Sequence, residues 1–210
     1  MTSAGRSFAA SAANGPTLRP QLHEAVEEIR RQGYRDVIVT GTMRLPTAFA
    51  VGVELSDVAG FSVAYRQRGQ DWSSGGDLSP VELVRNELEV GQGDELAVGI
   101  SIAADLTDDV VQYLNNAEVP IAAFVNLTPS GGVGRHALAY PDEARGYTQA
   151  LLNAIRAEAR SGTRRLHLFQ AGPVALALLL GHIWNRLPET QLYEDLGPGR
   201  GYAPTFRLGG

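Results

Sequence analysis

The residues of this chain favour recognition of a ligand over cleavage of a bond. Its 210 residues include no cysteine and four histidines, which lie at positions 23, 136, 167 and 182, without the spacing of a metal site. The sequence contains no P-loop, no G-x-S-x-G elbow and no H-E-x-x-H motif. We therefore expect no catalytic residue, no metal and no cofactor. Asp105 is interpreted as a helix cap rather than a general base.

One glycine-rich segment imitates a dinucleotide-binding fingerprint. The segment GGVGRHA places Gly132, Gly134 and Ala137 in a G-x-G-x-x-A pattern. A true fingerprint joins a strand directly to a helix, whereas PSG precedes this segment and LAYP follows it. We interpret residues 130–143 as a flexible loop.

The ligand contacts are expected where predicted strands end, because ligands of open α/β sheets bind beyond the carboxyl ends of the strands. These ends combine small residues with helix starts, and both features suit close approach of an anionic ligand to the backbone. The candidate ligand-binding residues are Gly41, Thr42, Met43, Arg44, Trp72, Ser101, Ile102, Ala103, Leu127, Thr128, Pro129, Phe169, Gln170, Ala171, Gly172, Pro173, Tyr193, Arg200 and Tyr202.

Aromatic rings and arginines among these candidates suggest particular roles. Rings near the strand ends could stack on nucleobases, and for Phe169 packing in the core is the stronger interpretation. For Trp72, stacking and burial are both open. Arg44 and Arg200 lie in turns where they could bind phosphates, with simple solvation as the alternative.

The elements that would position these residues alternate between strand and helix. Continuous apolar strands such as ELAVGISIA (95–103) indicate mainly parallel sheets flanked by helices on both faces. The order of elements restarts near 91–94, so we predict an α/β fold of two Rossmann-like halves, about 21–92 and 93–208, after a flexible tail or linker at 1–20. The remaining predicted strands are 36–41, 61–67, 119–127, 165–169, 190–195 and 203–208, and the predicted helices are 21–32, 45–58, 80–90, 106–116, 144–162 and one from Pro173.

Composition narrows the class of partner. Hydrophobic residues make up 44% and charged residues 20% of the chain, and the net charge of −5 argues against a basic surface for duplex nucleic acid. The amino terminus lacks the apolar region of a signal peptide, and the apolar run 171–180 is half the length of a membrane span. With no cysteine, a reducing cytoplasm fits, and we expect no membrane contact by this domain.

Three segments resemble one known family. Phe169, Pro173, Ala177 and Gly181, in HLFQAGPVALALLLG, resemble the signature of the SAVED domain. VIVTGTMRLPTAFAVGVELSD followed by DWSS looks like its first half, and TQLYED with YAPTF is similar to its tail. The resemblance covers about residues 21–208. It implies two fused CRISPR-associated Rossmann-fold-like (CARF-like) halves.

The same resemblance implies a function. SAVED domains are sensors in bacterial anti-phage defence, in CBASS and type III CRISPR systems, and they bind cyclic oligonucleotides such as cyclic tri- or tetra-adenylate. Binding is expected to drive self-association and to activate a fused or partner effector, such as a nuclease, TIR, protease or membrane protein. The alternatives are a ring nuclease that degrades such ligands, which would need a general base, and an interaction module without a ligand.

Overall fold

The chain folds into two sheets with helices packed between and around them. The computed structural model describes residues 15–76, 78–159 and 162–209. The strands are β1 Asp36–Val39, β2 Ser62–Gln67, β3 Gln70–Ser73, β4 Leu83–Glu89, β5 Glu95–Ser101, β6 Ile121–Pro129, β7 Arg165–Ala171, β8 Glu189–Asp195 and β9 Tyr202–Leu208. The α-helices are α1 Gly15–Arg31, α2 Leu45–Glu54, α3 Thr107–Asn116, α4 Ala144–Glu158 and α5 Val174–His182.

The sheets are mainly parallel, as predicted for an α/β fold of Rossmann-like halves. The larger sheet has the order β4-β6-β5-β7-β8-β9, and the smaller has the order β1-β2-β3. Strands β6, β5, β7 and β8 run parallel, while β4 and β9 pair antiparallel at the two edges. In the smaller sheet, β1 and β2 are parallel and β3 is antiparallel. Every residue of β5 is buried, which explains the apolar run from Leu96 to Ile100 between its polar ends Glu95 and Ser101.

Helix α5 is apolar on every side because other elements of the fold surround it. It packs against α2, α4 and β2, and Ala175 to His182 are all buried. Glycines allow α2 and α5 to touch backbone to backbone. A Cβ atom added at Gly52 would overlap the Leu178 carbonyl oxygen, and one added at Gly181 would overlap that of Phe49. The two helices are therefore held at a separation that only glycine permits at these positions.

The elements around these two helices form an internal repeat. The unit β1-α2-β2-β3 recurs as β7-α5-β8-β9, with a parallel first pair and an antiparallel third strand in both copies. Equivalent features keep one constant separation along the chain: the strands begin at Asp36 and Arg165, and the helices at Leu45 and Val174. Gly52 and Gly181 follow at the same separation. Helices α1 and α4 precede the two copies.

Three sequence predictions about elements are wrong. Residues 80–90, predicted as a helix, contain strand β4, which pairs antiparallel with β6 from Leu83–Pro129 to Glu89–Ala123. Strand β4 therefore belongs to the larger sheet although it lies before residue 92, and the division into halves near that residue stays a prediction. Strand β3 was missed. Residues 15–20, predicted as part of a flexible tail, are the first residues of α1, and residues 1–14 lie outside the described residues.

Candidate ligand-binding surface

The carboxyl ends of the parallel strands of the larger sheet lie along one edge. We use the name exit surface for the segments at this edge, which are 40–44, 101–105, 128–138, 170–173 and 194–201. Segment 101–105 is tied to the end of β7, because Ile102 and Ala103 donate backbone hydrogen bonds to the Ala171 carbonyl at 2.8 and 2.9 Å. Parallel pairing of β5 with β7 brings these two ends together.

An ion pair joins the end of β1 to this edge, although β1 belongs to the smaller sheet. Arg44 Nε lies 3.2 Å from Glu194 Oε1, at the end of β8. The Arg44 side chain remains 65% exposed, whereas that of Glu194 is 8% exposed. Arg44 therefore contributes positive charge to the exit surface while it holds the ends of the two sheets together.

Two helix amino termini open onto the exit surface without side-chain caps. Arg44 is the N-cap residue of α2 and Pro173 that of α5, and neither side chain accepts a hydrogen bond from its helix. These positions are equivalent within the internal repeat. Unpaired backbone N–H groups and the helix dipole favour an anion at both places.

The amino terminus of α3 differs because the chain itself supplies the anion. The Asp105 carboxylate accepts hydrogen bonds from the backbone N–H and the hydroxyl of Thr107, at 2.9 and 2.7 Å. These bonds hold the pKa of Asp105 below its usual range. Ser101 donates to Asn126 and accepts from the Leu106 N–H, so its hydroxyl is also used within the fold. The N-cap residue of α3 is Leu106, and Asp105, one residue earlier, binds the first N–H of the helix, a structural role close to the cap that the sequence predicted.

The segment that follows β6 is anchored rather than free. The Gly134 N–H donates to the Ile102 carbonyl at 2.8 Å, and the Tyr147 hydroxyl donates to the Ala137 carbonyl at 2.9 Å. Leu138 is buried. Residues 130–138 therefore fold back over the end of β5, which corrects the expectation of a flexible loop in this part of 130–143. The direct strand-to-helix connection of a dinucleotide fingerprint is absent from this described segment.

The aromatic candidates near the strand ends are buried. Burial agrees with the core packing favoured for Phe169 and is the one of the two open interpretations that holds for Trp72. It corrects the expectation that Tyr193 and Tyr202 could stack on a base. Trp72 is 4% exposed and lies in the core of the smaller sheet. Phe169, Tyr193 and Tyr202 surround Tyr113 in a second core cluster, where the rings of Phe169 and Tyr193 stack at a centroid distance of 4.4 Å. These rings already pack against one another or the core, so they present no free face to a nucleobase.

Other predicted site residues divide by exposure. Ser101, Ile102, Leu127 and Pro129 are buried and could offer a ligand only backbone atoms, which corrects any side-chain role. The half-buried or exposed candidates, which stay available to a ligand, are Gly41, Thr42, Met43, Arg44, Ala103, Thr128, Gln170, Ala171, Gly172, Pro173 and Arg200.

Two basic residues of the exit surface were missed in the sequence. Arg135 and His136 are exposed in the segment that folds over β5. GGVGRHA was interpreted only as a false fingerprint, although a basic pair within a glycine-rich segment was a signal for anion binding. They now join Arg44 and Arg200 as candidate cationic contacts.

A buried polar network lies at the opposite ends of the strands. His167 Nε2 lies 2.6 Å from Glu95, which also pairs with Arg164 and Arg165, and His167 Nδ1 lies 2.8 Å from the Tyr193 hydroxyl. Burial lowers the pKa of His167 and raises that of Tyr193. Glu95 and His167 are buried away from the exit surface, so this network belongs to the interior of the fold and not to the proposed ligand site.

The described residues contain no group of histidine, aspartate and glutamate side chains placed to hold a metal ion. Within the same residues, none of the helices has both the length and the apolar character needed to cross a membrane.

Comparison with known proteins identifies related sensor domains. The family model of the SMODS-associated and fused to various effectors sensor domain, SAVED, matches residues 18–208. CD-NTase-associated protein 4 of Enterobacter hormaechei subsp. hoffmannii (strain UCI 50) is 23% identical over 198 residues. That alignment covers 91% of this chain and 40% of the relative.

Solved structures of related receptors share the fold. The Acinetobacter baumannii Cap4 SAVED/CARF-domain containing receptor with the cyclic trinucleotide 3'3'3'-cAAA superposes with a TM-score of 0.77 at 20% identity, covering 95% of this chain and 45% of the receptor. The same receptor with 2'3'3'-cAAA gives 0.76 at 21% identity, covering 95% and 44%. The Moraxella osloensis receptor gives 0.68 at 20% identity, covering 94% and 43%. This chain thus spans less than half the length of these proteins.

Proposed function

Because this chain belongs to the SAVED family of sensor domains, we propose that it binds a cyclic tri- or tetranucleotide containing adenine at the exit surface. The observation that carries the proposal is the pair of uncapped amino termini of α2 and α5, which occupy equivalent positions of the internal repeat. Each offers backbone N–H groups to a phosphate. Arg44, which precedes α2 and pairs with Glu194, adds a charged hydrogen-bond donor for the ligand.

Small residues around these termini leave room for a ring to approach the backbone. Gly41 adopts a φ of 111°, a conformation that favours glycine, and its carbonyl accepts a hydrogen bond from the buried Tyr65 hydroxyl. An added Cβ at Gly172 would lie nearest to the buried residues Ile102 and Leu176, at 3.4 to 3.9 Å. Gly172 itself is half-buried in the turn before α5, so its backbone remains available to a ligand at the exit surface. The cyclic trinucleotides named for the related Acinetobacter receptor define the first ligands to test.

Sensing without catalysis is the proposed mode of action. Within the described residues, the exit surface pairs no general base with a free nucleophile, and its one acid with a lowered pKa, Asp105, binds the first N–H of α3. A bound ring would bridge parts of both sheets and favour assembly of further copies, which would then activate a fused or partner effector. We place this sensor in the cytoplasm, where such a ligand would be made.

Calorimetric titration of the folded protein with a panel of cyclic oligonucleotides tests the proposal. We expect binding of a cyclic triadenylate or tetra-adenylate at micromolar concentration or tighter, without added metal. Chromatography of the recovered ligand distinguishes sensing from degradation, because a sensor returns the ring intact whereas a ring nuclease returns linear products. Absence of binding to every ring would refute the proposed function.

A further inference from the structure

A cavity of about 300 Å³ lies at the opposite end of the larger sheet from the exit surface. Its lining residues come from the carboxyl end of α4 and from the segment between α5 and β8, and they are Arg156, Ala159, Arg186, Leu187 and Pro188. These two segments lead into the amino ends of the parallel strands β7 and β8, whereas the exit surface follows their carboxyl ends. The cavity is therefore a separate place in the fold, with the volume of a small ligand site.

Arg156 carries a positive charge that its surroundings compensate only in part. Its Nη2 donates hydrogen bonds to the backbone carbonyl and to the side-chain Oδ1 of Asn185, at 3.1 and 2.6 Å, and both acceptors are neutral. Its Nε is buried and meets no acceptor within the part of the chain that the structure describes. A buried donor without an acceptor costs free energy, and the cost is larger for a charged group. An anion beside this guanidinium would lower that cost.

Arg186 adds a second positive charge to the lining of the same cavity. This residue is exposed, and it lies in the segment that Arg156 holds through Asn185. Among the described residues, the ion pairs near this end of the larger sheet include neither Arg156 nor Arg186. Two guanidinium groups therefore line one cavity without a carboxylate to pair with them.

The acids closest in sequence to the cavity are already paired elsewhere. Glu158 Oε1 lies 2.5 Å from Arg85 Nε. Glu189 Oε1 lies 2.6 Å from Arg165 Nε. Neither acid lines the cavity. The carboxyl end of α4 adds a partial negative charge of about half a unit, which is small beside two full positive charges. The lining of the cavity therefore carries a net positive charge.

We propose that this cavity binds a phosphate monoester. Two guanidinium groups without acidic partners match a dianion, and a phosphate monoester carries a charge of about −1.5 to −2 at neutral pH. Planar guanidinium groups also present paired N–H donors that suit phosphate oxygens. Ala159, Leu187 and Pro188 give the cavity apolar surface for the organic part of the ester. A carboxylate carries one negative charge and would leave one of the two arginines uncompensated.

This proposal does not depend on the proposed function, because a cyclic oligonucleotide contains phosphodiesters and no monoester. Phenyl phosphate and phenyl sulfate test it, since they share one shape and differ by one charge. By calorimetry or ligand-observed NMR on the full chain at about pH 8, where the phosphate is a dianion, phenyl phosphate should bind about tenfold more tightly than phenyl sulfate. Benzoate, a planar monoanion, should bind as weakly as the sulfate. Equal affinity for the three anions, or no binding of phenyl phosphate at millimolar concentration, would show that the proposal is wrong.

Arg186→Asn and Arg68→Asn form a matched pair of variants. Both arginines are exposed with a φ of 54°, and asparagine tolerates this left-handed conformation, so both variants should fold. Arg68 lies in the hairpin between β2 and β3 and does not line the cavity. Arg186→Asn should weaken binding of phenyl phosphate about tenfold, whereas Arg68→Asn should leave it unchanged. Equal affinities of the two variants would refute the site.

Arg156→Lys keeps the positive charge but removes Nε and the planar pair of donors. It should also weaken binding of phenyl phosphate, and a melting curve establishes that the variant is folded. Should it unfold, the comparison of Arg186→Asn with Arg68→Asn still decides the proposal.

Titration with cyclic triadenylate separates this cavity from the exit surface. Wild type and Arg186→Asn should bind the ring with equal affinity, because the two places lie at opposite ends of the strands. Displacement of phenyl phosphate by the ring would overturn the separation. Binding of the ring without binding of phenyl phosphate would refute this proposal and leave the proposed function standing, and the converse result would refute the proposed function alone.

Discussion

Arg44 belongs to the proposed ligand site and also joins the two sheets through its ion pair with Glu194. It caps no helix with its side chain, yet it holds Glu194 across the gap between β1 and β8. A phosphate that binds the exposed guanidinium must share it with a nearly buried carboxylate. Binding at the proposed site would therefore be coupled to an ion pair that joins the two sheets.

Arg44→Glu should weaken binding of a cyclic triadenylate about 10- to 100-fold, because a charged hydrogen bond is lost and a like charge is added. Calorimetry measures the affinity. Arg31→Glu is the matched control, since Arg31 is equally exposed, at 67%, and pairs only with Glu28 on the surface of α1. Affinity unchanged in Arg44→Glu would remove this residue from the site.

Trp72→Ala should lower the free energy of unfolding by about 3–5 kcal/mol, because the ring is buried in the core. Urea denaturation measures the loss. The exposed Tyr34, at 53%, gives the control Tyr34→Ala, with an expected change of about 0.5 kcal/mol or less. A folded, fully stable Trp72→Ala protein would contradict the placement of Trp72 in the core.

Small residues and arginines at strand ends led to the proposal of the exit surface, because both depend on local sequence, and that location stays a prediction. The sequence did not show which aromatic side chains are free. Tyr193 and Tyr202 were wrong as stacking residues because a ring beside a strand end can point to either face of the sheet. Phe169 and Tyr193 both pack against Tyr113, which is distant in the sequence, so local sequence could not predict this cluster.

Helices α2 and α5 pack against each other and so join the two copies of the internal repeat. Their closest approach depends on Gly52 and Gly181, where any side chain would collide with a carbonyl of the other helix. The apolar sequence of α5 follows from this central position. Because these two helices touch backbone to backbone, their contact fixes the positions of their amino termini at the proposed site on the exit surface.

Gly181→Ala should destabilise the fold by about 3 kcal/mol or more, because α2 must move away from α5 to admit the methyl group. The melting temperature and the urea midpoint both report this change. Gly131→Ala is the control, since an added Cβ there meets no atom within 4 Å and Gly131 has no positive φ. Equal stability of the two variants would refute the backbone contact.

Gly172→Val should weaken ring binding at least tenfold while the protein stays folded. Its added Cβ would meet the buried side chains of Ile102 at 3.4 Å and Leu176 at 3.9 Å, so the two further methyl groups must displace these residues and shift the turn before α5 away from the ligand. A melting curve confirms folding, and calorimetry measures the affinity. Wild-type affinity in the folded variant would place the ligand elsewhere.

The sequence correctly predicted strands and helices that are buried, and it failed for β3 and β4, which lie at the edges of their sheets. Leu96–Ile100 of strand β5 and Val174–Gly181 of helix α5 are apolar, and the structure confirms the strand and the helix that these patterns indicated. Val81, Val84 and Leu88 have the spacing of one helix face in the sequence. The segment nevertheless contains strand β4, because Leu83–Glu89 pairs with β6. Strand β3 was missed because its hairpin turn, Arg68–Gly69, has positive φ at both residues and needs only one glycine in the sequence.

The whole molecule presents unlike surfaces at its two copies of the repeat, one with the open edge strand β9 and one with the short strand β3. A ring bound across the exit surface would complete a face for a second copy, and contacts between unlike faces propagate head to tail. Sedimentation velocity with increasing cyclic triadenylate should show species larger than a monomer. A monomer at ligand saturation would rule out this assembly for the isolated chain.

Folding stability should decrease as the pH falls from about 7 to 5. Burial lowers the pKa of His167, which faces Glu95, Arg164 and Arg165, and that of His182, which faces Asp57. The unfolded chain therefore takes up protons at a higher pH than the folded chain. Their contribution is fully present above the unfolded pKa and is lost below it, by at most about 1.4 kcal/mol per pH unit for each histidine. Urea unfolding across this range measures the slope, and a flat profile would contradict it.

The internal repeat places two equivalent helix amino termini at the proposed site, and a ring of three nucleotides cannot match them one to one. Such a ring would present three phosphates to two similar helix termini, so one nucleotide would meet a different environment. The two termini are also unlike, since Arg44 stands before α2 and Pro173 before α5. Each nucleotide of a ring bound there would therefore contact different groups. A receptor built in this way would distinguish rings of one composition by the order of their bases and linkages.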